Sequence, residues 1–232
     1  MYKSRKVALI VGDRVCTDEL RGPLCRISHS PHAMVAIIGD EPVESLKSRF
    51  RLPGVFYMGD QGLQISGPGV ETEPEPGLLH MALQLLTQEV KSRVEPIRGS
   101  HVEVGTLTCN VDYRSVSPRR RGQVRRAVAS AVFEVRQLFR CQEEQGVCTL
   151  RPNVEWSRPT AVRWVLANAA KPSDAVIYIG NDHGDEEVYR SLPDAITVKV
   201  GDPQKTMARY TLGSTKELAR FLSWLDVTLS MR

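Results

Sequence analysis

The chain has 232 residues, of which 41% are hydrophobic and 25% are charged, so its size suits one large globular domain or a core with a modest insertion. Its 31 Lys and Arg residues and 27 Asp and Glu residues give a formal net charge of +4, and we expect neither a nucleic acid nor a membrane as a partner. Apolar runs stay far below the roughly 20 residues that a membrane-spanning helix needs, which argues against an integral membrane protein.

The cysteines and the N-terminal segment indicate a reducing compartment. The number of cysteines is five, which is odd, and no CxxC spacing occurs, so we expect free thiols rather than a disulfide or zinc framework. The first apolar run, residues 7–11, follows a basic segment but is too short for a secretory signal. We therefore expect a cytoplasmic protein.

The first predicted elements are two buried strands. Residues 7–11 and 34–38 are continuous apolar runs, and each ends in a loop that contains Gly and Asp. Runs that are apolar on both faces suit parallel strands covered by helices. Doubly wound α/β folds place their chemistry in the loops that follow such strands.

The middle of the chain is typical of an insertion of mixed α and β structure. Residues 67–77 are rich in Pro and Gly and predict a crossover. Helical spacing predicts helices over residues 78–94 and 119–137, and alternation within 102–116 predicts a strand or a hairpin. Residues 149–153 lead back to the first pattern.

The last part of the chain returns to α/β patterning. Helices are predicted over residues 159–169 and 214–225, with a third apolar strand at 175–179 between them. The last helix has one apolar stripe that we expect to lie in the core, formed by Leu218, Phe221, Leu222 and Leu225. The predicted fold class is α/β: a parallel-sheet core from residues 1–68 and 150–232, with an α+β insertion at 69–149. We expect the three apolar strands to end at one cleft.

Short motifs along the chain resemble those of the trehalose-6-phosphate phosphatase family. Residues 178–187, YIGNDHGDEE, are similar to the family string YxGDDxTDED. Further similarity lies, in order, in residues 57–69, 111–116, 150–162, 196–201 and 206–210. Each segment alone is weak evidence, but the ordered series covers nearly the whole chain. The resemblance implies a haloacid-dehalogenase (HAD) superfamily fold, with a Rossmann-like core and an inserted α+β cap of the C2 type.

The resemblance also implies a chemistry whose key residues are replaced here. In this family an aspartate at the end of the first strand attacks phosphorus, a second aspartate serves as acid and base, and Mg²⁺ neutralises the phosphate. Aligned on the family motif DxDGT, this chain has Gly12 at the nucleophile and Arg14 at the acid–base position. Glycine has no side chain to form a covalent intermediate, and arginine stays protonated. A register shifted by one would place Asp13 at the nucleophile but Val15 at the acid–base position.

Other family site positions are degenerate as well. By resemblance, Gly39 replaces a phosphate-binding hydroxyl residue, Arg158 a phosphate-binding lysine and Asn181 the first aspartate of the GDD loop. Gln64 replaces a sugar-reading glutamate, whereas Arg114 survives. Because the substitutions concentrate on chemistry rather than on structural positions, we expect no intact catalytic site.

Two acidic residues of the 178–187 motif have two open interpretations. Asp182 and Asp185 could hold a metal ion, since carboxylates are preferred ligands of Mg²⁺. They could instead cap the following helix, because an aspartate at a helix N-terminus satisfies free backbone N–H groups. We expect no bound cofactor, with Mg²⁺ required only if the chain is an active phosphatase.

The two arginines of the degenerate site also have two open interpretations. Arg14 and Arg158 could bind a phosphate without a metal, because the guanidinium fork matches phosphate oxygens. Arg114 and Gln64 would then be candidates for sugar contacts. Alternatively, Arg14 pairs with a neighbouring aspartate (Asp13, Asp40 or Asp182) and closes the site.

These observations lead to three functional hypotheses. The first is a catalytically inactive trehalose-6-phosphate phosphatase-like protein, a pseudophosphatase. It would have a sugar-phosphate-binding or regulatory role in trehalose metabolism, with trehalose-6-phosphate or trehalose-6-phosphate synthase as its partner. The alternative is an active, Mg²⁺-dependent phosphatase of trehalose-6-phosphate or a related sugar phosphate. A third is an interaction domain whose closed cleft holds no ligand.

Overall fold

The computed structural model describes residues 6–72, 76–105, 107–154, 156–171 and 174–231. Its internal contacts divide the chain into two compact units. The core unit consists of Met1–Thr72 and Trp156–Arg232, and the inserted unit of Glu73–Glu155.

Strands and helices are numbered here in chain order. Strands in the described residues are β1 (Val7–Gly12), β2 (Ala33–Ile38), β3 (Phe56–Gly59), β4 (Gln64–Gly67), β5 (Val70–Thr72), β6 (His101–Val104), β7 (Cys109–Asp112), β8 (Phe139–Glu144), β9 (Val147–Pro152), β10 (Ala175–Gly180), β11 (Ile196–Val200) and β12 (Tyr210–Leu212). The α-helices there are α1 (Asp18–His29), α2 (Val43–Phe50), α3 (Pro76–Val94), α4 (Pro118–Glu134), α5 (Arg158–Ala169), α6 (His183–Ser191) and α7 (Thr215–Ser230).

The core unit is built on one eight-stranded sheet, in the order β12-β11-β10-β1-β2-β3-β4-β5. Pairing is parallel from β12 to β3, and β4 and β5 continue the sheet antiparallel. Val11 lies opposite Ile37 of β2 and Ile179 of β10. The predicted meeting of the three apolar strand ends is therefore confirmed.

Helices cover both faces of this sheet, as its continuous apolar strands require. In β1, Leu9 belongs to one buried cluster and Ile10 to another, because successive side chains point to opposite faces. The first cluster is completed by α1, α2 and α7, and the second by α5 and α6. The predicted apolar stripe of the last helix lies in the core: three of its leucines are buried and Phe221 is partly buried against them.

The inserted unit is an α+β structure with its own core. An antiparallel sheet runs in the order β6-β7-β9-β8. Buried residues of α3 and α4, among them Val90 and Val128, share one apolar cluster with strand residues such as Val111 and Leu150. The hairpin predicted within residues 102–116 corresponds to β6 and β7.

The unit boundaries in the structure lie a few residues from the predicted ones. β5 pairs with β4, so the core unit continues to Thr72 instead of ending at residue 68. β9 pairs with β7 and β8, so residues 150–152 lie in the inserted unit. Backbone pairing between strands sets both limits, and apolar patterning along the chain does not reveal it.

Two further expectations concern thiols and membranes. The cysteines are free, as predicted: Cys16, Cys25, Cys109, Cys141 and Cys148. Within the described ranges, no helix combines the length and apolarity that crossing a bilayer would require.

Candidate functional site

The carboxyl ends of β1, β2 and β10 bring most of the predicted site residues together. Gly12 is the last residue of β1 and lies opposite Ile38 of β2. A Cβ placed on Gly12 would lie 3.6 Å from Asp185 Oδ2, so the end of β1 faces the start of α6. Arg14 follows in a short 3-10 turn. The register that puts Gly12 at the end of the first core strand is therefore observed.

Asp13 does not replace the missing nucleophile in an open cleft, because its side chain is packed inside. It is 4% exposed, and its Oδ1 has no hydrogen-bond partner among the described residues. A Cβ on Gly39 would lie 2.6 Å from the Asp13 Cγ, so the absent side chain at position 39 makes room for Asp13. Arg49 Nη1 approaches Asp13 Oδ2 at 3.5 Å. Burial and the charge of Asp40 raise the pKa of Asp13 to about 6, although nearby arginines lower it.

The raised pKa of Asp13 predicts that the stability of the folded chain depends on pH. A folded-state pKa of about 6, above the ordinary 3.8, favours the protonated form in the folded state. The stabilisation that the protonated Asp13 carboxyl provides is fully present below pH 4. It is lost as the pH rises through 6, which lowers the free energy of unfolding by up to about 3 kcal/mol. Relative to wild type, Asp13→Asn should therefore be more stable at pH 7.5 than at pH 4. Urea unfolding across this range measures the difference, with Asp18→Asn on the exposed start of α1 as control. If Asp13→Asn and wild type differ in their free energy of unfolding by the same amount at every pH, the raised pKa of Asp13 is contradicted.

Arg158 is the centre of the site. It begins α5 directly after Ser157, whose side chain caps that helix. Its Nη2 donates to Asp40 Oδ1 at 2.6 Å, and its Nη1 donates to Asp182 Oδ1 at 3.0 Å and Asp185 Oδ1 at 3.1 Å. The side chain is only 6% exposed. Burial by itself would lower the pKa of Arg158, but the three carboxylates raise it well above its ordinary value.

Arg14 extends this network towards solvent. Its Nη2 donates to Asp40 Oδ2 at 2.8 Å, and its Nε lies 3.7 Å from Asp182 Oδ2. Burial would raise the pKa of Asp40, but Arg158 and Arg14 hold it below its usual value. Of the two interpretations of Arg14, the observed contacts correspond to the second, in which Arg14 pairs with Asp40 and Asp182. The Arg14 side chain nevertheless stays 58% exposed.

Asp182 and Asp185 form the capping box of α6. Asp182 accepts from the Asp185 backbone N–H, and Asp185 accepts from the Asp182 backbone N–H. The backbone N–H of Asn181 and the hydroxyl of Tyr178 also donate to Asp185, at 2.8 and 2.6 Å. The helix-capping interpretation is confirmed.

The residues at this edge do not fit Mg²⁺. Each carboxylate that could serve as a ligand, Asp40, Asp182 or Asp185, already binds the Arg158 guanidinium. Across the part of the chain that the structure describes, no group of three or more His, Cys, Asp or Glu side chains is arranged to hold a metal ion. A guanidinium among these oxygens would repel a divalent cation.

The two predicted sugar contacts, Gln64 and Arg114, each have a hydrogen-bond partner within their own unit. Gln64 is buried on β4, and its Oε1 accepts from the Val43 backbone N–H at the start of α2. Arg114 belongs to the inserted unit, where its guanidinium is paired with Asp112. Neither side chain is part of the Arg158 network.

Sequence reasoning missed two members of the site. Arg49 lies on α2 and contacts both Asp13 and Glu41. Tyr178 supplies a buried hydroxyl from the interior of β10. A tyrosine within an otherwise apolar strand was a usable signal, because a buried hydroxyl needs a partner. Arg49 had no comparable signal, since exposed helical arginines are common.

Comparison with known protein sequences finds trehalose-phosphatases. The family model described as trehalose-phosphatase matches residues 2–219. The probable trehalose-phosphate phosphatase D of Arabidopsis thaliana is 28% identical over 220 residues, which are 85% of this chain but 59% of that protein. The chain thus spans well under the full length of this relative.

Solved structures share the fold. The C-terminal domain of the Candida albicans trehalose-6-phosphate phosphatase has a TM-score of 0.74 at 15% identity, covering 96% of this chain and 92% of that one. The C-terminal domain of the Candida albicans trehalose synthase regulatory protein has a TM-score of 0.70 at 16% identity, covering 95% of this chain and 94% of that one. The match along residues 2–219 shows that the chain belongs to the trehalose-phosphatase family, and the solved structures show that it shares their fold.

Proposed function

We propose that this chain is a non-catalytic member of the trehalose-phosphatase family with a regulatory role in trehalose metabolism. The observation that carries the proposal is the buried guanidinium of Arg158, bound to Asp40, Asp182 and Asp185 where the family's chemistry needs a metal ion and a phosphate. Gly12, at the end of β1, offers no carboxylate for attack on phosphorus. The site is thus built for internal charge pairing rather than for turnover.

A sugar phosphate such as trehalose-6-phosphate would meet two exposed arginines at this edge. Arg14 is 58% exposed and Arg49 is 41% exposed, whereas Arg158 is 6% exposed and committed to three carboxylates. A phosphate would have to compete with Asp40 for Arg14, and Asp40 and Glu41 would repel it. The proposed binding is therefore weak and independent of metal.

Regulation through a partner protein is the other part of the proposal. A structure that shares this fold is named a trehalose synthase regulatory protein, which supports a regulatory role. The partner in that role would be trehalose-6-phosphate synthase.

A working phosphatase is the second candidate, favoured by the names of relatives such as the Arabidopsis thaliana protein. Such an enzyme would need Asp13 as its nucleophile, the residue that directly follows β1. Asp13 is 4% exposed and packs on Gly39, so a substrate could reach it only after the turn rearranged.

A thermal-shift titration with trehalose-6-phosphate tests the leading proposal. A ligand that binds only the folded state raises stability by RT ln(1 + [L]/Kd). We expect Tm to rise by a few degrees, equally in Mg²⁺ and in EDTA. The rise should be lost in Arg14→Ala and kept in Arg220→Ala, which removes an exposed arginine of α7. Stabilisation that disappears in EDTA would mean that a metal site exists. No stabilisation in either condition would favour the closed interaction domain.

A further inference from the structure

The carboxylates around Arg158 are positioned by contacts that do not involve Arg158. Asp185 is 1% exposed and accepts from Tyr178 and from two backbone N–H groups of the α6 start. Asp182 is held by the reciprocal capping bond. Asp40 follows β2, directly beside the site. Asp182 and Asp185 are therefore held in place without Arg158, and Asp40 is also bound by Arg14.

Carboxylates in such a place need a counter-charge. Several kcal/mol are lost when an ion is buried without a partner, and carboxylates that share one guanidinium repel each other. Arg14 relieves only the exposed side, through Asp40 and Asp182. The inner side, towards Asp185, is reached by the Arg158 guanidinium alone among the cations that form ion pairs within the described residues.

We propose that Arg158 is a tethered cation that takes the place of a bound divalent ion, and that its removal would leave a site for a free cation. The shape of that site follows from the contacts. Nη1 faces Asp182 and Asp185, and Nη2 faces Asp40, so the space is planar and forked. This site should bind a guanidinium-type ion most tightly. Ca²⁺ should bind more weakly, but better than Mg²⁺, because Ca²⁺ accepts irregular oxygen ligands more readily. This inference is independent of any sugar-phosphate binding.

Chemical rescue of Arg158→Ala tests the proposal. The variant should melt below wild type, and millimolar methylguanidinium chloride should raise its Tm by about 2–4 °C when the ion is several-fold above its Kd. Ca²⁺ should give a smaller rise, and NaCl at matched ionic strength none. Wild type should respond to neither ion, and neither should Arg163→Ala, which removes an exposed arginine of the same helix. Adding Asp40→Asn to the variant should weaken the response to methylguanidinium.

Two results with Arg158→Ala would overturn the proposal. One is a Tm equal to that of wild type. The other is a response to NaCl as strong as the response to methylguanidinium. If Arg158→Ala does not fold, Arg158→Lys decides, because it keeps a charge but not the fork. Arg158→Lys should fold with an intermediate Tm, and a protein as unstable as the alanine variant would mean that the tethered charge is not what matters.

Discussion

With Mg²⁺ present, the purified chain is expected to release no phosphate from trehalose-6-phosphate above background. Gly12 cannot form a covalent phospho-enzyme, and Arg14 cannot exchange a proton at neutral pH. Loss of a covalent nucleophile alone has cost about 10⁶-fold in rate in other enzymes. Phosphate release measured over hours is sensitive enough to detect this loss, with the Arabidopsis thaliana relative as the positive control.

Restoring the two missing aspartates should not restore turnover. A Cβ at position 12 has room, since the nearest atoms to it lie at 3.6 Å. Gly12→Asp with Arg14→Asp would nevertheless add carboxylates beside Asp185 while Arg158 still fills the site. Turnover by the wild-type chain at roughly 1–10³ s⁻¹, the usual range for enzymes, would refute the non-catalytic proposal. In that event, loss of turnover in Asp13→Asn would identify Asp13 as the nucleophile.

The second large effect is expected from Asp185→Ala. Its carboxylate accepts from Arg158, Tyr178 and two backbone N–H groups, and it is 1% exposed. Gly180 makes room for it, because a Cβ at that position would collide with the carboxylate. Removing one partner of a buried ion pair costs about 3–5 kcal/mol, since the remaining charge and donors stay buried.

Urea unfolding measures how much Asp185→Ala lowers the free energy of unfolding. Glu187→Ala, at an exposed position of the same helix, should change the free energy of unfolding by no more than about 0.5 kcal/mol. If Asp185→Ala costs less than about 1 kcal/mol, the buried network does not stabilise the core unit.

Much of the fold could be predicted from local patterns. The apolar runs ending at Val11, Ile38 and Ile179 predicted parallel buried strands, because a strand covered on both faces needs apolar residues at every position. For Asp182, helix capping was one of two interpretations of the sequence, and capping depends only on residues within one turn. Strand burial and helix capping are both local in the chain, so the sequence can indicate them.

The state of the site could not be predicted in the same way. Arg14 and Arg158 had two open interpretations, and the choice depended on which carboxylates came within hydrogen-bond distance. Arg158 and Asp40 are 118 positions apart, and parallel packing of β1, β2 and β10 brings them together. The unit boundaries likewise followed from strand pairing rather than from composition. Charge and apolarity can be read along the chain, whereas the partner of each charged group is set by distances that exist only after the strands have assembled.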